Sequence, residues 1–192
     1  MQRLPAFVPL LPLSLVLAAC SSAPPPAPPP PPAPVTVTVS TAQQAEVNLA
    51  PASASLVSGR LALVPAPGGV RITGVIGGLA PRQVAAFHVH ERGDCSAVDA
   101  SSAGGHFNPT GAPHGRAGNG DHHAGDMDNL QADHEGVAQV DVLLRQVTLG
   151  GGAANDIAGK ALVVHARPDD YRSQPAGNAG ARVACGVIRV TR

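Results

Sequence analysis

Apolar and polar residues alternate in short stretches along most of this chain, and turn-forming residues separate the stretches. Val35-Thr36-Val37-Thr38-Val39 alternates strictly. Leu56 to Val64 and Val70 to Ile76 flank Pro65-Ala66-Pro67-Gly68-Gly69, a turn signal. Val84 to His90 follows Pro81, and Val137 to Leu144, Ala161 to His165 and Arg182 to Val190 complete the set. Each stretch predicts a short strand, because β-branched residues at a period of two fit a half-buried pleated surface. No segment keeps an amphipathic helical period over three turns. Short strands punctuated by Gly and Pro predict a β-sandwich or a β-barrel, and periodicity alone does not choose between them.

Two regions break the rhythm. From Glu91 to Asp133 the chain is rich in Gly, Asn, Asp, Ser and His and carries almost no apolar run. Arg167 to Ala181 is a shorter loop of the same kind. Connections this long inside a compact domain are usually functional or disordered.

The chain has 192 residues and no net formal charge, which argues against a nucleic-acid or polybasic membrane partner. Tryptophan is absent, and the aromatic residues are Phe7, Phe87, Phe107 and Tyr171. A core must therefore come from Val, Leu, Ile and Ala. Residues 1–19 read as a secretory signal: Arg3 gives a positive start, Phe7 to Leu17 is apolar, and the run is too short to span a membrane. Leu17-Ala18-Ala19-Cys20 resembles a bacterial lipobox, which implies cleavage before Cys20 and its acylation. Residues 20–34 then form a lipidated cysteine and a Pro/Ala-rich tether. A polyproline II run rises ~3.1 Å per residue, so the tether would hold the domain roughly 35–40 Å from its anchor. The remainder, 35–192, is one domain by length. The expected location is the cell envelope, with the domain facing the periplasm or the exterior.

Three cysteines are present, Cys20, Cys95 and Cys185. Lipidation of Cys20 leaves Cys95 and Cys185 as one pair, and export to an oxidising compartment favours a disulfide between them. Such a bridge stabilises by at most roughly 4–5 kcal/mol in the chain-entropy model.

Ligand-type side chains concentrate in and around the first polar loop: His88-Val89-His90, His106, His114, His123-Ala124-Gly125-Asp126 and, downstream, His165. Imidazole suits copper and zinc, and a carboxylate in a nitrogen-rich set suits zinc. His88 and His90 are two apart on a predicted strand, so both leave the same face while Phe87 and Val89 point to the other. His122 and His134 read as solvated loop histidines, although His122 adjoins His123 and could compete with it for zinc.

These stretches together resemble the copper/zinc superoxide dismutase family over roughly residues 55–192. The matching motifs are Phe87-His88-Val89-His90-Glu91, Gly93-Asp94, Ser102 to Pro109, His123-Ala124-Gly125-Asp126, Leu162-Val163-Val164-His165 and Gly177 to Ile188. The Gly104-Gly105 form, the short second loop and the leader look like the bacterial periplasmic, lipoprotein branch. The resemblance implies an all-β, eight-stranded Greek-key β-barrel, related to the immunoglobulin-like sandwich, with long metal-binding loops outside it. It implies one copper held by His88, His90, His106 and His165, and one zinc held by His106, His114, His123 and Asp126, with His106 as a shared bridge. It implies that Asp169 links one copper ligand to one zinc ligand, that Cys95 and Cys185 form the intrachain disulfide, and that Arg182 attracts the anionic substrate. The implied reaction converts two superoxide anions and two protons to dioxygen and hydrogen peroxide by alternate reduction and oxidation of copper.

Arg116, Arg167 and Arg172 are further steering candidates, with Arg167 and Arg172 better read as loop surface. A homodimer stays open on sequence alone. The rival function is a copper- and zinc-binding lipoprotein without enzymatic activity. Retention of Arg182 and of an open copper position favours the enzyme.

Overall fold

The computed structural model describes residues 39–192. The signal segment, Cys20, the tether and all but the last residue of the Val35–Val39 strand expectation lie outside the described residues. Val39 itself belongs to no strand and is exposed. Among the described residues no helix is long and apolar enough to cross a membrane.

The described residues form ten strands: β1 (Ala45–Pro51), β2 (Ser58–Ala66), β3 (Gly69–Gly77), β4 (Val84–Ala85), β5 (Phe87–His90), β6 (Leu130–Gln131), β7 (Ala138–Arg145), β8 (Ala161–His165), β9 (Arg182–Val187) and β10 (Arg189–Val190). One eight-stranded antiparallel sheet runs β5-β8-β9-β1-β2-β3-β7, with β10 also on β1, and β4 pairs with β6 separately. After the β1–β2–β3 meander the chain lays β5 at the far edge and returns as β7 beside β3. That is a Greek-key crossover in a curled, barrel-like sheet, as the family resemblance implies.

The inner face follows the period of two. Ala45, Val47 and Leu49 of β1 are buried, as are Leu61 and Leu63 of β2 and Val70, Ile72 and Ile76 of β3. They pack with Phe87, Val89, Leu162 and Val164 into one aliphatic core. A smaller cluster of Ala52, Ala100, Ala103, Ala161 and Val163 surrounds Cys185. Its bond to Cys95, with Cα atoms 5.7 Å apart, ties the first long loop to β9.

The strand expectations hold with two kinds of difference. Val84 to His90 splits at Ala86, whose backbone bonds to the second loop and to the end of β8: Ala86 N–H donates to Arg167 O, and His165 N–H donates to Ala86 O. Arg182 to Val190 likewise splits, at Ile188, whose N–H donates to Lys160 O. Strands β1 and β6 are additional.

Candidate metal centre

Strand β5 is an edge strand, and the first long loop covers that edge. Val89 N–H donates to Gly125 O at 2.9 Å, Phe107 N–H to Val89 O at 2.8 Å, and Gly125 N–H to Phe107 O at 2.9 Å. The bridges His88↔Asp126 and His90↔His106 follow from this pairing. A side chain at Gly125 would run into the Val89 carbonyl and Phe107, so the close approach requires glycine there. The face carrying His88 and His90 is therefore buried beneath the loop, while Phe87 and Val89 on the opposite face enter the core.

Two groups of four side chains result. His88, His90, His106 and His165 each offer one ligand atom, all within 4.8 Å of one another, and so do His106, His114, His123 and Asp126. All seven residues are buried. His106 belongs to both groups. Its Nδ1 faces Asp126 Oδ1 at 2.8 Å, and its Nε2 turns toward the other set, with the His106 and His88 ring centroids 4.0 Å apart.

Outer contacts fix which nitrogen of each ring is free. The Asp169 carboxylate accepts from His88 Nε2 and from His114 Nε2, both at 2.9 Å, so one carboxylate spans the two groups as the resemblance implied. His90 Nδ1 faces Gly104 O at 2.9 Å, and His165 Nδ1 faces Gly180 O at 3.3 Å. Acceptors of this kind set imidazole tautomer and orientation. The remaining atoms suit metal ions. His88 Nδ1 and His106 Nε2 are buried without any hydrogen-bond partner, and His114 Nδ1 meets only Asp126 Oδ2, at 3.0 Å. Leaving a buried polar atom unsatisfied typically costs about 1–3 kcal/mol, so two in one place signal a ligand role. His90 Nε2 and His165 Nε2, both left as acceptors, face each other at 3.3 Å, which a cation between them resolves. The donor sets fit: four imidazoles suit copper, and three imidazoles with a carboxylate suit zinc.

Protonation states agree for His88, His90 and His165. Burial pushes the imidazole of His88 down to about 4, that of His90 to about 2 and that of His165 to about 3, which leaves neutral donors near pH 7. Burial also pushes the His123 imidazole down. Burial would raise the carboxyls of Asp126 and Asp169, but hydrogen bonds from the surrounding imidazoles outweigh it and hold both well below the usual carboxylate range. For His114, burial is outweighed by those two carboxylates, and its pKa rises to about 9.

These shifts give metal-free protein a defined acid response. Between about 4 and the unfolded value of 6.5, the unfolded state binds more protons at His88, His90 and His165, so stability falls as pH falls through that window. His114 acts oppositely: its contribution is complete below 6.5 and is lost as pH rises through about 9. The thermal midpoint of chelated protein is expected to drop on acidification from pH 6.5 to about 4. A midpoint that rises over that range contradicts the burial of these imidazoles.

Arg182 opens β9 opposite His165 in the β8–β9 register, which places it beside the first group. Its Nη1 donates to Ala100 O and its Nη2 to Gly104 O, each at 2.6 Å. Burial lowers its pKa, and a guanidinium stays charged at any working pH. Arg182 and His165 line one surface cavity of about 460 Å³, walled by the second loop.

The other candidates separate. Arg167 is exposed in the second loop, lines that cavity too and donates to Asn178 Oδ1 at 3.1 Å. Arg116 is engaged elsewhere, with Asp128 at 2.9 Å and over the Tyr171 ring. His122 turns both ring nitrogens into its own loop, toward His123 O and Gly118 N, so it does not compete for the second site. His134 is exposed beside Glu135. Sequence reasoning missed Asn129, whose carboxamide holds Asp169 by both backbone groups: Nδ2 donates to Asp169 O at 3.0 Å, and Oδ1 accepts from Asp169 N–H at 2.8 Å. Its position three residues after Asp126 was the only local signal.

The model of the family described as copper/zinc superoxide dismutase (SODC) matches residues 57–188. Copper/zinc superoxide dismutase 2 of Aquifex aeolicus (strain VF5) is 48% identical over 136 residues, covering 69% of this chain and 80% of that protein. The copper/zinc superoxide dismutase of Caulobacter vibrioides (strain ATCC 19089 / CIP 103742 / CB 15) is 39% identical over 137 residues, with 69% and 78% covered. Among solved structures, the clock protein EA4 superposes with a TM-score of 0.70 at 35% identity, covering 80% of this chain and 98% of that one. A SOD-like protein from Bacillus subtilis superposes with a TM-score of 0.68 at 33% identity, covering 74% and 96%.

Proposed function

The chain belongs to the copper/zinc superoxide dismutase family, and on that premise we propose that it removes superoxide at a bacterial cell envelope, tethered through Cys20. The observation that carries the chemistry is the pair of four-ligand groups meeting at His106. Copper goes to His88, His90, His106 and His165, and zinc to His106, His114, His123 and Asp126. Bound copper supplies one-electron redox chemistry, and zinc, which has none, fixes the second group. Arg182 draws the anion into the cavity beside His165. His106 Nε2, buried and without a protein partner, is the atom that takes up a proton and gives it back. Asp169 holds His88 and His114 in register throughout. The products are dioxygen and hydrogen peroxide.

The envelope assignment rests on Leu17-Ala18-Ala19-Cys20 and on the Cys95–Cys185 disulfide, which leaves Cys20 as the odd cysteine of an oxidised chain. It favours the bacterial periplasmic branch of the family. Expressed with its leader, the Cys20→Ala variant is expected to lose incorporation of labelled fatty acid and to leave the membrane fraction. Labelling that persists in that variant refutes the anchor and leaves the metal chemistry untouched.

A further inference from the structure

Gln174 sits in the second loop, exposed, between Ser173 and Pro175. An exposed glutamine usually spends its carboxamide on water. Here both ends of the carboxamide close on the backbone of one residue 60 positions away. His114 N–H donates to Gln174 Oε1 at 2.9 Å, and Gln174 Nε2 donates to His114 O at 2.8 Å. His114 is otherwise carried by a stretch without regular structure, from Gly111 to Arg116. Neither sheet nor helix fixes its Cα, so the carboxamide stands in for a strand partner.

The turn that presents Gln174 is seated on the same place. Gly177 N–H donates to Ser173 O at 2.7 Å, and Asp170 N–H donates to Gly177 O at 3.0 Å. A Cβ at Gly177 would collide with Asp169 Oδ1 and reach His114 Nε2 at 2.8 Å, and its φ of +65° also favours glycine. The turn therefore lies directly against the hydrogen bond between Asp169 and His114. Asn129 holds Asp169 by both backbone groups from the other loop. The two clamps are reciprocal. Each loop holds, through one side-chain amide, the backbone of the residue in the other loop that makes this hydrogen bond.

The geometry points to Gln174 as a positioning residue for the zinc site, acting through the backbone of His114. It fixes the imidazole that must meet both the metal and Asp169, and it locks the cavity wall to the loop that carries the ligands. This rests on the assignment of His106, His114, His123 and Asp126 to zinc. Outer groups that orient metal ligands typically change metal affinity by about 10–100-fold when removed.

The test uses the metal-loaded chain and four proteins: parent, Gln174→Met, Gln174→Glu and Gln83→Met. Methionine keeps the length of glutamine and removes both hydrogen-bonding groups. Glutamate keeps an acceptor for His114 N–H and loses the donor. Gln83 also bonds to the start of the second loop, with Nε2 donating to Ala166 O, but it touches no ligand residue. Zinc release to a chromophoric chelator is followed, and the visible absorption of cobalt(II) bound in place of zinc is recorded. Gln174→Met is expected to release zinc ~10–100-fold faster and to alter the cobalt bands, Gln174→Glu to fall between it and the parent, and Gln83→Met to match the parent. Release from Gln174→Met within about twofold of the parent, with an unchanged cobalt spectrum, overturns the inference. Equal acceleration in Gln83→Met and Gln174→Met also overturns it, since that is general loosening of the loop. A parent chain that takes up no zinc defeats the zinc assignment itself.

Discussion

Replacing His106 with alanine is expected to abolish rapid superoxide removal and to disturb both metal sites together. His106 is the one side chain common to the two ligand groups, with Nδ1 at the Asp126 carboxylate and Nε2 buried without a protein partner. Its ring packs within 5.3 Å, centroid to centroid, of His114 and of His123, and closer still to His88. Alanine removes a candidate ligand from each group and removes the proposed proton carrier. A positioned general acid–base group alone contributes roughly 10²–10⁴-fold, so activity should fall at least that far. The check combines copper spectra, zinc content and the rate of superoxide decay. Full activity with unchanged copper spectra in His106→Ala contradicts the shared ligand.

Reversing the charge at Arg182 should give the next largest loss without stripping the metals. The whole chain carries no net charge, so attraction of an anion must come from local positive groups focused in the cavity. Arg182 stands opposite His165 and is anchored by two carbonyls, one of which, Gly104 O, also meets His90. Focusing of this kind raises association rates by about 10–10³-fold, so Arg182→Glu should be slower by at least roughly tenfold at low salt. Arg182→Lys keeps the charge but cannot fork between Ala100 O and Gly104 O, and should lose less. Rising ionic strength should slow the parent and narrow the gap, because charges are screened beyond about 8–10 Å at physiological salt. Arg182→Glu that holds both metals and matches the parent rate at low salt removes the guiding role.

How much the sequence disclosed follows from where each kind of information resides. β8 was legible to the residue, because Ala161 to His165 is a continuous buried run bounded by turn formers. β1 was not. Its buried Ala45, Val47 and Leu49 alternate correctly, but Glu46, Asn48 and Ala50 are weak strand formers, and pairing with β2, β9 and β10 overrides their preference. The break at Ala86 was illegible because it depends on bonds to Arg167 and His165, some 80 residues on. The side chains of the two groups were legible as ligand types because coordination chemistry is written in residue type, and their division into two sets came from the family resemblance. The side chains that hold them were not: Asn129 and Gln174 are ordinary loop amides until the fold brings Asp169 and His114 within reach. His122 shows the converse, since a histidine beside a ligand carries the right chemistry and points the wrong way.

The most direct test measures metal content per chain together with superoxide decay, before and after chelation and after stepwise return of zinc and copper. The expected result is one copper and one zinc per chain, loss of activity on chelation, and recovery only when copper returns. Two equivalents of a single metal with full activity, or activity that survives complete removal of copper, would contradict it.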